Sequence, residues 1–334
     1  MSQLSHTRLS VLDLAPIREG GTIADSFADS VCLAKLTESL GFTRFWLAEH
    51  HGLDGIASAA TSVLIGHIAG HTQHMRIGSG GIMLPNHPPL VIAEQFGTLA
   101  TLYPERIDLG LGRAPGSDGA TMVALRRDPY AGVDDFPQRL AELQRFLGKP
   151  QPDQRVRAIP GQGTEVPIWL LGSSLYSAQL AAREGLPFAF AAQFAPAQLD
   201  EALHIYREQF RPSSVLEAPY AMVGVPLIAA DTDEKAEYLA STVRQKFLGM
   251  VRGQRGRAKP PVAELDWTPS EQVQVEGFLG AAIIGGPERV ESGLERFLER
   301  TQADELMLMT DTFDLEDRLE SYRIVAERWR NTSN

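Results

Sequence analysis

The chain has 334 residues, 43% of them hydrophobic, and a formal net charge of −11. Its length allows a large core, and its acidic balance argues against nucleic-acid partners or a polybasic membrane surface. Cys32 is the only cysteine, which excludes an internal disulfide, and we expect it to be buried in the first helix. No stretch approaches the ~18 apolar residues of a membrane helix, and residues 1–10 show no signal peptide, so we expect a cytoplasmic protein.

Short, almost continuously apolar runs alternate with helical periodicity, a pattern typical of parallel strands covered on both faces. The predicted strands are residues 9–14, 42–48, 76–83, 107–111, 168–171, 188–192, 222–228 and 305–309. The predicted helices include residues 23–40, 88–103, 177–184, 197–210 and 315–329, and another that begins at 286. Eight strands, each followed by helical sequence, predict one (β/α)8 TIM-barrel domain over residues 1–334. A doubly wound open sheet is the alternative, although no GxGxxG follows the first strand.

Two insertions interrupt this rhythm, at about residues 116–166 after the fourth strand and 231–282 after the seventh. The first carries one amphipathic helix with Phe136, Leu140, Leu143 and Leu147. The second begins with a helix around 236–247 and continues into a basic segment, residues 249–261. Long insertions in a barrel are usually lids or disordered loops. The basic segment therefore either closes over a phosphate or is a mobile, solvated loop.

Polar residues and glycines follow the predicted strands, at the end of the sheet where parallel α/β folds build their sites. They are Asp13, Glu49, His50, Gly80, Gly81, Arg113, Gly172, Ser173, Ser174, Gln193 and Thr310. A single inward-facing histidine, His50, suits acid–base chemistry. Among Glu49, His50, His51 and His87 we expect no metal site, because adjacent side chains alternate on a strand and no His-x-His spacing occurs.

A phosphate site is indicated where Gly172-Ser173-Ser174 leads into the helix that begins near Ser177. Backbone amides and hydroxyls at a helix amino terminus bind anions, and Arg113 can fork onto a phosphate. The alternatives are a serine that only caps the helix and an arginine held in an ion pair. Gly80 and Gly81 lack a Cβ and so admit a planar ligand, or they form a simple bulge.

Several motifs occur in the order found in one family: LAEHH after the second strand, SGGIMLPNHPP after the third, DLGLGRAPG after the fourth, and LLGSSLYSAQLAAREGLP after the fifth. The chain resembles the bacterial luciferase-like flavin-dependent monooxygenases along nearly its whole length, and most closely their single-component branch. The resemblance implies a TIM-barrel flavoprotein that takes reduced FMN and dioxygen and oxidises a small organic substrate, and it implies a homodimer.

The resemblance also implies roles for individual residues. His50 matches the catalytic histidine, and Gly80-Gly81 match a dipeptide that often forms a non-prolyl cis bond behind the flavin ring. Arg113, Ser173, Ser174 and Ser177 match the residues around the FMN phosphate. Because no GxGxxG follows any strand, we expect a separate reductase to supply reduced FMN. The alternatives are an F420-dependent hydride-transfer enzyme, a non-catalytic flavin-binding protein and, last, a phosphate-substrate isomerase or aldolase.

Overall fold

The computed structural model describes residues 4–114, 119–125, 135–152 and 154–331. Its strands are β1 (Arg8–Asp13), β2 (Arg44–Leu47), β3 (Arg76–Met83), β4 (Ile107–Gly112), β5 (Ile168–Gly172), β6 (Phe188–Phe190), β7 (Ala221–Ala229), β8 (Ile283–Gly285) and β9 (Glu305–Met309). Its helices are α1 (Ile23–Ser39), α2 (Thr61–His71), α3 (Pro89–Leu102), α4 (Gly119–Ala124), α5 (Phe136–Leu147), α6 (Leu175–Glu184), α7 (Leu199–Glu208), α8 (Asp233–Val251), α9 (Pro269–Phe278), α10 (Pro287–Thr301) and α11 (Leu315–Asn331). Within these ranges, no helix is long and apolar enough to cross a membrane.

Eight of these strands close into a parallel barrel. Its order is β1 to β7 in sequence, then β9, which pairs back onto β1. On one side of β1, Val11 lies opposite Phe45, and on the other side Arg8 lies opposite Glu305. The predicted (β/α)8 TIM barrel is confirmed, and the open doubly wound sheet is excluded because the sheet has closed on itself.

The ninth strand, β8, has no counterpart among the predicted strands. In the described residues it pairs only with the end of β7, from Leu227 opposite Ile283 to Ala229 opposite Gly285. Together with α8 and α9 it surrounds a separate apolar cluster. The predicted insertion after β7 is therefore a packed unit that sits at the carboxyl end of the barrel.

The insertion after β4 contains α4 and α5. The four apolar residues predicted for its amphipathic helix are all buried on α5, which packs against α3. Residues 115–118, 126–134 and 153 of this interval lie outside the described residues.

Helix α1 begins with a capping box in which Thr22 and Asp25 exchange side-chain and backbone hydrogen bonds. Its buried face includes Leu33 and Ala34. Cys32 lies beside that face and is exposed, so the expectation that it is buried is wrong. The helix is only weakly amphipathic, which explains why the sequence pattern misplaces this residue.

Alternate residues of the strands divide the core into two. The barrel interior is filled by large side chains that include Trp46, Trp169, Met222 and Met307. The two tryptophan rings meet edge to face, with centroids 5.2 Å apart. A larger cluster lies between the sheet and the surrounding helices. The interior is thus a packed core, and space for a ligand must lie at its end.

Buried ion pairs close the amino-terminal end of the barrel. Arg44 lies 2.7 Å from both Asp108 and Glu305, and Arg76 lies 2.6 Å from Asp108. Both carboxylate side chains are fully buried. Because these charges satisfy one another, the amino-terminal end is a structural plug.

Candidate active site at the barrel mouth

The carboxyl ends of the strands surround a mouth with an apolar floor. Leu12, Leu14, Trp46 and Ala48 are buried in the cluster that forms this floor. Side chains alternate between the two faces of β2 and the residues that extend it. His50 therefore lies on the same inward face as Trp46 and Ala48. The predicted catalytic histidine therefore stands above an apolar floor.

The His50 side chain is partly buried, and its Nδ1 atom is buried with no hydrogen-bond partner in the described part of the chain. Its backbone N–H donates to the carbonyl of Ser58 at 2.9 Å, which fixes the loop after β2. Burial, with a smaller effect of the positive charge of Lys246, lowers the pKa of His50 to about 4, against the opposing effect of Glu49. At neutral pH the imidazole is therefore uncharged, and it has a nitrogen free to accept or donate one hydrogen bond.

A lysine–aspartate pair lies near His50. The Lys246 Nζ atom on α8 lies 2.5 Å from Oδ2 of Asp311, which follows β9. Burial raises the pKa of Asp311, but the charge and hydrogen bond of Lys246 outweigh it and hold that pKa below its usual value. Asp311 Oδ1 is buried and has no partner among the described residues. The sequence pattern singles out neither residue, because only the folded insertion brings α8 to the strand ends.

The Gly80–Gly81 peptide bond is cis, as the resemblance implies. The pairing of β3 with β4 also shifts register between Ser79 and Ile82, so the bulge that was the alternative reading is present as well. A Cβ on Gly81 would lie 2.7 Å from the carbonyl oxygen of Gly110, and one on Gly80 would lie 2.7 Å from Leu12. The backbone of β4 therefore leaves no room for a Cβ at Gly81, whereas a Cβ at Gly80 would require the Leu12 side chain to shift.

The predicted phosphate residues come together at the amino terminus of α6. The Arg113 guanidinium carbon lies 4.1 Å from the centroid of the Tyr176 ring, in the first turn of that helix. In the described residues Arg113 forms no ion pair. Ser174 occupies the N-cap position but its hydroxyl makes no capping hydrogen bond. Ser173 precedes it and Ser177 is buried in the helix.

This end of the mouth fits an anionic group. It offers a guanidinium, unengaged hydroxyls, and the backbone N–H groups and positive dipole of a helix amino terminus. These are the donors that a phosphate monoester requires. The site thus has an anion-binding end at α6 and a neutral histidine over an apolar floor.

Glu49 organises a second group of side chains next to His50. Its Oε1 atom lies 2.8 Å from Nε2 of both His51 and His87, and its Oε2 atom accepts the N–H of Met83 at 3.0 Å. Alternation does separate His50 from His51, but it also brings Glu49 and His51, two residues apart, to one side. His87 comes from the loop after β3. The Glu-x-His spacing is the sequence signal for this cluster.

The basic segment packs against the loop after β1. Ala258 exchanges backbone hydrogen bonds with Ile17 and Glu19, and Arg257 donates to the carbonyl of Gly21. Arg255 is close enough to contribute to the lowered pKa of His50. Arg252 pairs with Glu271 at 2.7 Å and so points away from the mouth. The backbone of the segment therefore packs on the β1 side as a cover, while residues 252–257 are exposed to solvent.

Three other residues at strand ends have separate places. Asp13 and the Thr310 carbonyl both accept from Arg318 of α11, which ties β1 and β9 to that helix. Gln193 packs into the space left by Gly224, where a Cβ would lie 1.9 Å from its Oε1 atom. That oxygen is buried with no partner in the described ranges. Gln193 therefore contributes an acceptor on the β6 side of the barrel, and Asp13 and Thr310 serve the packing of α11.

Comparison with known proteins gives relatives along the whole chain. Residues 7–305 match the luciferase-like monooxygenase family. The luciferase-like monooxygenase of Escherichia coli (strain K12) is 53% identical over 320 residues, 95% of this chain and 96% of that protein. The N-acetyl-S-alkylcysteine monooxygenase of Bacillus subtilis (strain 168) is 39% identical over 236 residues, 69% of this chain and 70% of that protein.

Solved structures agree with this match. The crystal structure of apo-MsnO8 has a TM-score of 0.92 and 38% identity, and the alignment covers 97% of this chain and 99% of that one. The fold, at 15–16% identity, is shared with the oxygenating constituent of 3,6-diketocamphane monooxygenase in complex with FMN (TM-score 0.74) and an F420-dependent secondary alcohol dehydrogenase (TM-score 0.71). Since the family match spans most of the sequence and the barrel closes as that fold requires, the chain belongs to the luciferase-like monooxygenase family.

Proposed function

We propose that this protein is an FMN-dependent monooxygenase that uses reduced FMN and dioxygen to oxidise a small organic substrate. The observation that carries the proposal is the anion-binding end at α6, where Arg113 and Ser174 have no other polar partner in the described residues. A phosphate monoester fits it, and FMN carries one. The neighbour solved in complex with FMN supports the same cofactor, and the relative named as a monooxygenase supports the same type of reaction.

The bound cofactor would supply the electrons that activate dioxygen. Arg113, Ser173, Ser174 and Ser177 would hold its phosphate, and the Gly80–Gly81 backbone would lie against its ring system. The apolar floor of the barrel would exclude water from the reacting face. The packed cover formed by the basic segment would limit solvent entry from the β1 side.

His50 is assigned the proton chemistry. Its imidazole is neutral at physiological pH because burial lowers its pKa. The unpartnered Nδ1 atom can accept a proton from, or donate a hydrogen bond to, a group at the centre of the mouth. Lys246 and Asp311 lie beyond it and would orient the polar part of a substrate.

Turnover tests the proposal directly. Reduced FMN would be supplied by a separate flavin reductase with NADH, under ¹⁸O₂, with N-acetyl-S-methylcysteine as a probe substrate. We expect consumption of NADH to depend on the reductase, and a product that carries one ¹⁸O atom. Reduction of F420 by a secondary alcohol, with no oxygen consumed when reduced FMN is supplied, would instead favour hydride transfer.

The remaining expectations belong to this proposal. The homodimer is expected from the resemblance. The separate reductase is expected because the sequence lacks a GxGxxG fingerprint. A non-catalytic flavin-binding protein would bind FMN equally well but would release all reducing equivalents as hydrogen peroxide. The ¹⁸O experiment separates that case from an oxygenase through the labelled product.

A further inference from the structure

Three potential metal ligands meet beside the barrel mouth, and the proposed FMN site uses none of them. We propose that Glu49, His51 and His87 form a binding site for one divalent transition-metal ion, with Zn²⁺ as the ion that fits best. The ligand atoms would be Oε1 of Glu49 and Nε2 of each histidine, which lie within 4.8 Å of one another. This inference does not rest on the proposed function.

The distances suit a site that tightens around an ion. Each Nε2 lies 2.8 Å from the carboxylate oxygen. Zn²⁺ binds nitrogen and carboxylate oxygen at about 2.0–2.2 Å, so its ligand atoms stand somewhat more than 3 Å apart. Each histidine nitrogen therefore has to move away from the carboxylate oxygen by about half an ångström, and the two nitrogens, within 4.8 Å of each other, have to reach a similar spacing by side-chain rotation.

The chemistry of the donors selects the kind of ion. Two imidazoles and one carboxylate form the His₂Glu set that binds zinc with a fourth position open to water. Mg²⁺ and Ca²⁺ prefer six or more oxygen ligands, and the cluster offers a single carboxylate. The Glu49 side chain is 1% exposed, whereas His51 and His87 are 19% and 26% exposed, so an ion has access from the solvent side.

The surroundings of the carboxylate support a ligand role. Its second oxygen accepts the backbone N–H of Met83, and the Asn86 amide nitrogen lies 3.4 Å from Oε1. Outer hydrogen bonds of this kind hold metal-binding carboxylates in orientation. Because Glu49 and His51 follow β2 while His87 follows β3, a bound ion would join the loops next to His50 and Gly81. It would stabilise the mouth without touching the substrate.

Zinc binding to the full-length, tag-free protein is the test. A competing site exists on α2, where the exposed rings of His67 and His71 lie 4.5 Å apart. The titrations would therefore use a His67→Ala/His71→Ala background, checked for folding by circular dichroism. We expect one Zn²⁺ per chain by calorimetry, strong weakening in Glu49→Gln, and loss of measurable binding in His51→Ala and in His87→Ala.

A second measurement holds even if a variant fails to fold. Wild-type crystals soaked in ZnCl₂ should show an anomalous peak at the zinc absorption edge between Glu49, His51 and His87, whether or not His67 and His71 also bind zinc. Binding only at His67 and His71, binding that survives both His51→Ala and His87→Ala, or no binding at all would overturn the proposal. In those cases Glu49 serves only as a hydrogen-bond acceptor for two histidines.

Discussion

Replacing Arg113 with alanine tests the anion-binding end of the site. The guanidinium contacts the Tyr176 ring and, in the described residues, has no carboxylate partner. Its removal therefore leaves no buried charge unpaired, and the fold should be kept. What is lost is the interaction with a ligand phosphate.

The size of the loss follows from that single interaction. A hydrogen bond to a charged group contributes about 1.5–3 kcal/mol, and a forked arginine–phosphate contact lies in the upper part of this range. A loss of about 2–3 kcal/mol corresponds to a Kd for FMN raised about 30- to 150-fold. Riboflavin lacks the phosphate, so its Kd should barely change.

Flavin fluorescence titration of both ligands measures the two constants. Arg183→Ala is the matched control, because Arg183 lies on the same helix, α6, and pairs with Glu184 on the surface. That control should bind both ligands as the wild type does. If Arg113→Ala weakens FMN and riboflavin equally, or weakens neither, the assignment of the phosphate to α6 is wrong.

Three further substitutions probe the mouth. His50→Ala should leave FMN binding near normal but lower product formation by roughly 10²–10⁴-fold, with hydrogen peroxide released instead. If the variant forms as much product per oxygen consumed as the wild type, His50 has only a structural role. The lowered pKa of Asp311 stabilises the fold above its unfolded pKa of 3.8, and this contribution is lost as pH falls through the folded value. Without Lys246, burial raises the pKa of Asp311, so in the variant this carboxyl takes up a proton as pH falls and then needs no counter-charge. Lys246→Met should cost about 2–3 kcal/mol at pH 7 and less at pH 4 in urea unfolding; an equal loss at both pH values would contradict this. Gly81→Ala should lower the free energy of unfolding by about 1–3 kcal/mol, because the new Cβ would lie 2.7 Å from a backbone oxygen of β4. Gly277→Ala is the control, since no atom obstructs its Cβ, and it should not be destabilised. Equal thermal stability of the two variants would contradict this prediction.

Local patterns predict much of the fold. Each barrel strand coincides with an apolar run, and the predicted residues of α5 are all buried, because both features depend on the period of the sequence. The same holds for the α6 end of the site, where a strand, a serine turn and a helix follow one another directly. β8 escapes prediction because it lies outside the repeating alternation of strand and helix and extends the end of β7. α9 is missed although Thr268 and Glu271 form a capping box, which is its sequence signal.

The rest of the site depends on contacts between distant segments. Lys246 and Asp311 are 65 residues apart, and only the packing of α8 over the barrel joins them. His87 meets Glu49 because β2 and β3 are neighbours in the barrel and their loops rise together. Sequence spacing shows the Glu49–His51 pair but not its third member. Side-chain clusters that span three elements require the fold before they can be recognised.

The central claim is that the mouth binds reduced FMN for reaction with oxygen. The most direct measurement is an anaerobic titration of the protein with reduced FMN and, separately, with reduced and oxidised F420, each followed by admission of oxygen. We expect saturable binding of reduced FMN, oxidation of the bound flavin when oxygen enters, and no comparable binding of F420. Saturable binding of F420 with none of reduced FMN would contradict the account.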